Sequence, residues 1–192
     1  MTVKDSISDL PEIINGETYQ GKYQNRPKSI YQKLLRKGST ILNDHQCSKL
    51  GPLNLERVIH LEPNSGNGWT SLPENLKPRN LAKLGKNSYN NRFGRLRWEY
   101  IFNTIMTKPE PYWGRVIHPE QNRVYSVRES ARAQGFPDNF KFEGNLTERY
   151  KQIGNAVPPP LARSIGWEIR RLLGDKKVEE EINEYKSKFI DL

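Results

Sequence analysis

Apolar residues recur every three or four positions along much of this chain, and this spacing predicts short amphipathic helices. Val3, Ile7 and Leu10 show it near the N-terminus, where Pro11 would end the helix. The helices predicted in this way cover residues 3–10, 30–37, 55–61, 126–134, 147–152, 161–173 and 178–189.

Residues that begin and end helices lie at these boundaries. Ser29 and Thr147 can each cap a helix, and Ser126 with Glu129 has the spacing of a capping box. The prolines at 158–160 suit a helix start, because proline lacks only an N–H that is unpaired there. Glycines that would end the helices follow at Gly38, Gly135 and Gly174.

Strands are predicted from β-branched and aromatic residues. Residues 99–106 have this composition, and residues 116–118 and 124–126 predict a hairpin around 119–122. Residues 11–28 and 63–80, which are rich in Gly, Asn and Pro, are predicted to be loops. Short strands and loops followed by helices predict an α+β fold.

Composition limits the size of the core and points to a partner. Apolar residues make up 34% of the 192 residues, which allows only a small core surrounded by much irregular chain. The 31 Lys and Arg exceed the 22 Asp and Glu, giving a net charge of +9. Such a charge favours a polyanionic partner, because cations placed on phosphates release condensed counterions. An ordinary soluble basic protein remains an equal alternative from charge alone.

The chain contains a single cysteine, Cys47, and three histidines. This excludes an internal disulfide framework and a multi-cysteine zinc site, so we expect no metal. There is no apolar run of 18 residues and no secretion signal at the N-terminus, so we expect a soluble intracellular protein.

The segment from residue 75 to residue 98 is basic and aromatic. It has seven Lys and Arg residues and no acidic residue, and Tyr89, Phe93 and Trp98 are interspersed among them. Basic side chains contact phosphates while aromatic rings stack on bases or wedge between them, so the pattern favours nucleic-acid binding. The alternative is a solvated basic loop whose aromatic side chains point inward.

Two motifs near the C-terminus carry a family resemblance. Residues 150–162 read YKQIGNAVPPPLA, and residues 123–138 read RVYSVRESARAQGFPD. They resemble the last two conserved motifs of cytosine-5 methyltransferases, in the family's order and with its short separation. Residues 2–12, 93–98, 109–111 and 114–121 are similar to the maintenance-type enzymes of eukaryotes, and the resemblance extends from Thr2 to Arg170.

The resemblance implies a bilobal enzyme. In the family, a Rossmann-like domain binds S-adenosylmethionine, a smaller target-recognition domain reads DNA, and a cysteine thiolate attacks the flipped-out cytosine. By this resemblance, residues 1–122 are the target-recognition region and residues 123–174 return to the catalytic core. Residues 175–192 form an amphipathic helical tail. The C-terminal helices would then complete the Rossmann-like domain.

The same resemblance implies specific site residues. Asn155, Ala156 and Val157 are expected to bind the cofactor, although Gly-Asn here can also be only a turn before a helix. The expected DNA-binding residues are Lys86, Tyr89, Arg92, Arg95, Tyr112 and Trp113. Arg128 and Arg132 lie on one helical face and are expected to be mainly structural, with phosphate contact as the alternative.

The chain departs from the family where the catalytic elements should lie. It has no Phe-x-Gly-x-Gly loop, no Pro-Cys pair and no Glu-Asn-Val, so we assign no catalytic residue and expect Cys47 to be inert. Relatives also carry zinc-cluster cysteines and a longer loop after residues 109–111 that reads CpG. Here only Tyr112 and Trp113 separate Pro111 from Gly114, and neither can make the bidentate guanine contact of Arg or Lys.

We therefore expect the C-terminal portion of a nuclear DNA (cytosine-5) methyltransferase that is inactive alone. Its expected partners are double-stranded DNA and a missing catalytic half, which is either upstream sequence or a separate chain. Without that half, the stripe Leu161, Ile165, Ile169 and Leu172 should be partly exposed. The alternatives are a stand-alone DNA-binding remnant and an RNA methyltransferase, the latter disfavoured because the recognition-region matches are to DNA enzymes.

Overall fold

The computed structural model describes residues 1–83 and 89–190, without the side chains of 188–190. Its helices are α1 (Val3–Ile7), α2 (Ile30–Arg36), α3 (Pro52–Ile59), α4 (Arg79–Ala82), α5 (Val127–Gln134), α6 (Leu146–Asn155), α7 (Pro159–Leu172) and α8 (Val178–Ile190). Its strands are β1 (Thr18–Lys22), β2 (Ile41–Gln46), β3 (Gly94–Arg95) and β4 (Arg115–Ile117), and single 3-10 turns cover Trp69–Ser71, Glu74–Leu76 and Pro111–Trp113. The fold mixes helices with short strands, as predicted.

Capping boxes fix the starts of four helices. Thr2, Ser29, Ser126 and Asn145 each accept a hydrogen bond from the backbone three residues ahead, and the side chain there bonds back. The prediction for Ser126 is confirmed, and Gly135 ends α5 in the left-handed region at φ 85°. The cap of α6 is Asn145 rather than the predicted Thr147, so this helix starts earlier and reaches Asn155.

The sequence did not predict the antiparallel pair of strands β1 and β2. β1, inside the predicted loop 11–28, pairs with β2 from Thr18↔Gln46 to Lys22↔Ile41, with an irregularity between Tyr19 and Gly21. The residues of β1, TYQGK, show no alternation of apolar and polar side chains, and none of them is buried. The pairing with β2 is what makes it a strand.

The predicted strand over residues 99–106 is wrong, because the structure shows an irregular segment there. The backbone oxygens of Trp98 and Tyr100 accept hydrogen bonds from Lys4 and Val3, at 3.0 and 2.7 Å. They therefore pair with the otherwise unpaired N–H groups that begin α1. Phe102 still contributes apolar surface, since its ring packs edge-on against Tyr125 at 6.2 Å.

The predicted hairpin around residues 119–122 is confirmed in its backbone pairing. The His118 N–H donates to Arg123 O and the Tyr125 N–H donates to Val116 O, both at 3.0 Å. A bridge also joins Ile117 and Val124, while β4 pairs on its other side with β3 in parallel.

One apolar core joins the N-terminal and C-terminal halves of the chain. It runs from Val3 in α1 to Ile153 in α6 and so includes residues on both sides of position 122. α5 packs against α1, β2 and α6, which places this helix at the centre of the molecule.

Charged side chains of α5 and its flanks are buried in salt bridges. Arg123 donates to both carboxylate oxygens of Glu129 at 2.8 Å. Arg132 lies between Asp9 and Asp138 and donates to both. All five side chains are at most 1% exposed.

Arg128 is buried as well. It donates to Asp44 and to the backbone oxygens of Asn43, Pro137 and Phe140. With Arg132 in its salt bridges, this confirms the prediction that Arg128 and Arg132 are structural, because neither guanidinium is accessible to a phosphate.

Burial changes the ionisation of the groups beside this network. The pKa of His45 falls to about 4 and that of His118 to about 3, mainly because both imidazoles are desolvated. Both rings are therefore neutral near pH 7, and hydrogen bonds fix them in place. His45 contacts Ser126 Oγ and Pro11 O at 2.9 and 2.8 Å.

Within the described part of the chain, no helix is long and apolar enough to cross a membrane. The same residues contain no cluster of three or more His, Cys, Asp and Glu that could hold a metal ion.

Candidate functional site

The junction between α6 and α7 carries the predicted cofactor-binding residues. Gly154, in the last turn of α6, packs directly on the backbone of residues 106–107. A Cβ atom there would lie 2.5 Å from Thr107 N and 2.6 Å from Met106 C, so only glycine fits. The glycine of this motif therefore has a packing role that brings α6 onto the irregular segment beneath it.

The three residues after Gly154 face outward. Asn155 and Val157 are exposed and Ala156 is half-buried. The Asn155 side chain makes no hydrogen bond to any residue in the described ranges, so its two donors and its acceptor are free. The structure thus presents a short polar and apolar edge immediately before the prolines that begin α7.

α7 has an apolar face that lies open to solvent. Leu161, Ile165, Ile169 and Leu172 follow one another along one side of the helix and are 48% to 87% exposed. α7 has no buried residue at all. The predicted exposure of this stripe is confirmed. An amphipathic helix normally packs its apolar face on a core, but no residue that the structure describes covers this face.

The helix α8 covers the opposite face of α7. Trp167 packs edge-on against Tyr185 with ring centroids 5.2 Å apart, and Arg170 donates to Glu181. Val178 and Ile182 of α8 are buried. Because α8 covers the side of α7 that carries Trp167 and Arg170, the apolar stripe is the side of α7 that remains available to pack against another protein surface.

The structure brings four of the predicted DNA-binding residues together. The Arg92 guanidinium lies 5.3 Å from the ring centre of Tyr89 and donates to the backbone oxygen of Tyr112. Tyr89 and the neighbouring Trp113 are 69% and 67% exposed. We call these four residues the aromatic patch.

Two further predicted residues do not join the aromatic patch. Lys86 lies outside the described residues. The DNA-binding prediction for Arg95 is wrong, because this side chain is completely buried and bonds inward. It donates to the backbone oxygens of Val58, His118 and Gln121 and to Asn122 Oδ1. Arg95 therefore holds the loop after β4 onto α3.

Arg57 positions the aromatic patch, although no pattern in the sequence indicated this role. Its guanidinium donates to the Tyr112 hydroxyl at 2.9 Å and to Leu76 O at 2.7 Å, beneath the ring of Phe93. The Tyr112 ring in turn packs edge-on against Phe93 at 4.6 Å. Contacts between residues 55 positions apart in the chain are visible only after folding.

Cys47 has the environment of an inert thiol. It is 1% exposed, and its Sγ donates to Ile14 O and accepts from the Gly16 N–H. Desolvation raises the pKa of this thiol above its usual value, so little thiolate forms near neutral pH.

Comparison with known proteins identifies similar chains. The sequence profile of the family described as C-5 cytosine-specific DNA methylase matches residues 3–171. The chain is 40% identical over 189 residues to DNA (cytosine-5)-methyltransferase 2 of Arabidopsis thaliana and 37% identical over 232 residues to DNA (cytosine-5)-methyltransferase 1 of Mus musculus. Each alignment covers 90% of this chain but only 12% and 14% of the respective relative.

Among solved structures, a putative DNA modification methyltransferase encoded within an E. coli prophage is similar. The TM-score is 0.54 at 23% identity, and the match covers 83% of this chain and 43% of that one. At this identity the likeness shows a shared fold. The chain thus spans about an eighth of the curated relatives and less than half of the similar structure.

Proposed function

This chain belongs to the C-5 cytosine-specific DNA methylase family, and we propose that it forms the DNA-binding and C-terminal portion of a maintenance-type DNA (cytosine-5) methyltransferase. The observation that carries the proposal is the exposed edge Asn155–Val157 followed by the uncovered apolar stripe of α7. A stripe of this size is seldom left bare on a soluble monomer. We infer that the catalytic part of the enzyme covers it.

The roles divide along the chain although the core is continuous. We assign DNA recognition to residues 1–122, completion of a Rossmann-like catalytic domain to residues 123–174, and α7 support to the tail 175–192. This is a division of roles, since one apolar core runs through position 122.

The residues at the end of α6 fit a part of an S-adenosylmethionine site. Asn155 has a free amide, and Ala156 and Val157 offer small apolar surface beside it. When bound, the cofactor would supply the methyl group. Gly154 would let α6 lie close to residues 106–107 and so set the position of Asn155.

The aromatic patch is proposed to contact DNA. Tyr89 and Trp113 project into solvent, and Arg92 lies between the two segments that carry them. Rings of this kind stack on bases or wedge between them, and a neighbouring guanidinium contacts phosphate. The setting of such a protein is the nucleus, which we propose as its location.

We predict that this chain alone transfers no methyl group to DNA, because it offers no activated nucleophile. Its one thiol is buried and its pKa is raised. The test is transfer of labelled methyl from S-adenosylmethionine to duplex DNA, with the chain alone and mixed with the catalytic part of the Arabidopsis relative. Activity only in the mixture supports the proposal.

Two results would contradict this. Turnover by the chain alone that disappears in Cys47→Ser would make Cys47 a nucleophile. A mixture that stays inactive while the chain still binds duplex DNA would favour a stand-alone DNA-binding protein.

We further predict that duplex binding depends steeply on salt. Arg79 on α4 and Lys83 directly after it are exposed and belong to the basic segment. Reversing both charges to Glu should weaken binding and lower the log–log salt slope by about 0.9 for each phosphate that is no longer neutralised. The matched control reverses Lys176 and Lys177, which are exposed in the connection from α7 to α8. Equal slopes for the two double variants would place the basic segment away from DNA.

A further inference from the structure

Arg115 is a charged side chain that the fold holds in place without giving it an acceptor. It begins β4, directly after Trp113 and Gly114, and is half-buried. Its Nε is buried with no hydrogen-bond partner, and no hydrogen bond or ion pair joins its guanidinium to any residue of the described ranges. Its two Nη groups also have no partner but are not buried, so they are accessible to solvent.

Other arginines with a buried, unpaired Nε are satisfied through their remaining nitrogens. Arg95 bonds four oxygens, Arg97 donates to the Tyr100 hydroxyl, and Arg149 donates to Asp44 and Gln46. Arg115 differs from these three because it bonds through none of its nitrogens. The buried Nε–H of Arg115 lacks an acceptor, which costs free energy, and its Nη groups are free of any intramolecular partner and so available to a ligand.

A glycine opposite Arg115 leaves room for the Arg115 side chain. Gly94 is the register partner of Arg115 in the parallel pair of β3 and β4. A Cβ on Gly94 would lie 2.8 Å from both Cβ and Cγ of Arg115 and 2.7 Å from Asn91 O. The space that glycine leaves is therefore occupied by the Arg115 stem, next to the loop that carries Asn91.

Asn91 adds a second unsatisfied group at this place. Its Oδ1 is buried without a hydrogen-bond partner. Asn91 directly precedes Arg92, and Arg115 follows Trp113 by two positions, so the two segments that meet here also carry residues of the aromatic patch. The Asn91 oxygen is an acceptor inside the fold, so the group left for a ligand is the Arg115 guanidinium.

We propose that Arg115 binds a pair of hydrogen-bond acceptors on DNA, either the O6 and N7 edge of a guanine or the oxygens of a phosphate. The guanidinium fork presents parallel donors that match both acceptor pairs. Arg115 supplies the charged donors that Tyr112 and Trp113 lack. This inference rests on the proposed role of the chain in DNA binding.

The first test is duplex binding followed by fluorescence anisotropy for the unchanged chain, Arg115→Ala and the control Arg26→Ala. Arg26 is exposed before α2, so its loss removes the same charge elsewhere. We expect Arg115→Ala to weaken binding at least about ten-fold and the control less than about three-fold. Equal effects of Arg115→Ala and Arg26→Ala would overturn the inference.

Chemically altered duplexes separate the two acceptor sources. If guanine is read, replacing it with 7-deazaguanine weakens the unchanged chain but not Arg115→Ala. If a phosphate is bound, 7-deazaguanine has no effect, and Arg115→Ala lowers the salt slope by about one. Either pattern supports the acceptor site.

A second measurement remains informative if the chain fails to bind duplexes or if Arg115→Ala fails to fold. The Nε–H resonance of Arg115 is followed by NMR during titration with guanosine monophosphate and with inorganic phosphate. The expected result is a shift of this resonance with at least one of them, while the resonances of the paired Arg123 and Arg132 stay fixed. No shift with either ligand would overturn the inference, whereas a shift without duplex binding would count against the proposed function alone.

Discussion

Replacing Arg132 with Ala is expected to lower the free energy of unfolding by about 3–5 kcal/mol. Arg132 is fully buried and donates to Asp9, to Asp138 and to Ser6 O. Removing it leaves two carboxylates in the interior without their main partner, and an uncompensated buried charge costs more than the pair contributed. Denaturant titration monitored by circular dichroism measures the change.

Arg36→Ala is the matched control for this prediction. Arg36 also donates to Asp9, at 3.1 Å, but its side chain is partly exposed and Arg132 remains to pair the carboxylate. We expect a loss of about 1 kcal/mol or less. If the two variants unfolded at the same denaturant concentration, the buried salt bridges of Arg132 would contribute no more to stability than the partly exposed one of Arg36.

Adding the catalytic part of a relative is expected to slow hydrogen exchange across α7 about 100-fold. The isolated helix has no buried residue, so its amides should exchange through frequent local opening. A partner present at about 100 times its Kd stabilises the bound helix by about 2.7 kcal/mol. Exchange of α5, which already lies in the core, serves as the internal reference.

Charge placed in the stripe should abolish this protection. Ile165→Asp with Ile169→Asp puts two carboxylates on the apolar face, whereas Ser164→Asp adds charge beside it on an exposed residue. We expect the double variant to lose the slow exchange and Ser164→Asp to retain it. Protection of α7 in the isolated chain as strong as that of α5 would remove the physical support for a missing catalytic half.

Local patterns in the sequence were sufficient for most helices. The boundaries of α2, α5 and α7 follow from capping residues, apolar spacing and glycine or proline positions that act within one turn. The motif over residues 150–162 also identified the exposed edge at Asn155. These helix boundaries and this edge could be predicted from the sequence because each depends on residues only a few positions away.

Long-range contacts decided what local patterns could not. The segment 99–106 has strand composition, but its start pairs with the first N–H groups of α1 instead of with a strand. β1 lacks an apolar pattern and exists because β2 pairs with it. Strand formation depends on a partner from elsewhere in the chain, which composition does not specify.

Sequence patterns alone were enough to indicate the family, the basic character of residues 75–98 and the faces of the helices. Folding, by contrast, settles which basic residues remain available. Arg95, Arg97 and Arg115 look alike along the chain, yet Arg95 is buried on four oxygens, Arg97 bonds a hydroxyl and Arg115 has no acceptor. The reason is that a guanidinium is accessible or satisfied according to the oxygens that folding places around it, and most of those oxygens come from distant backbone.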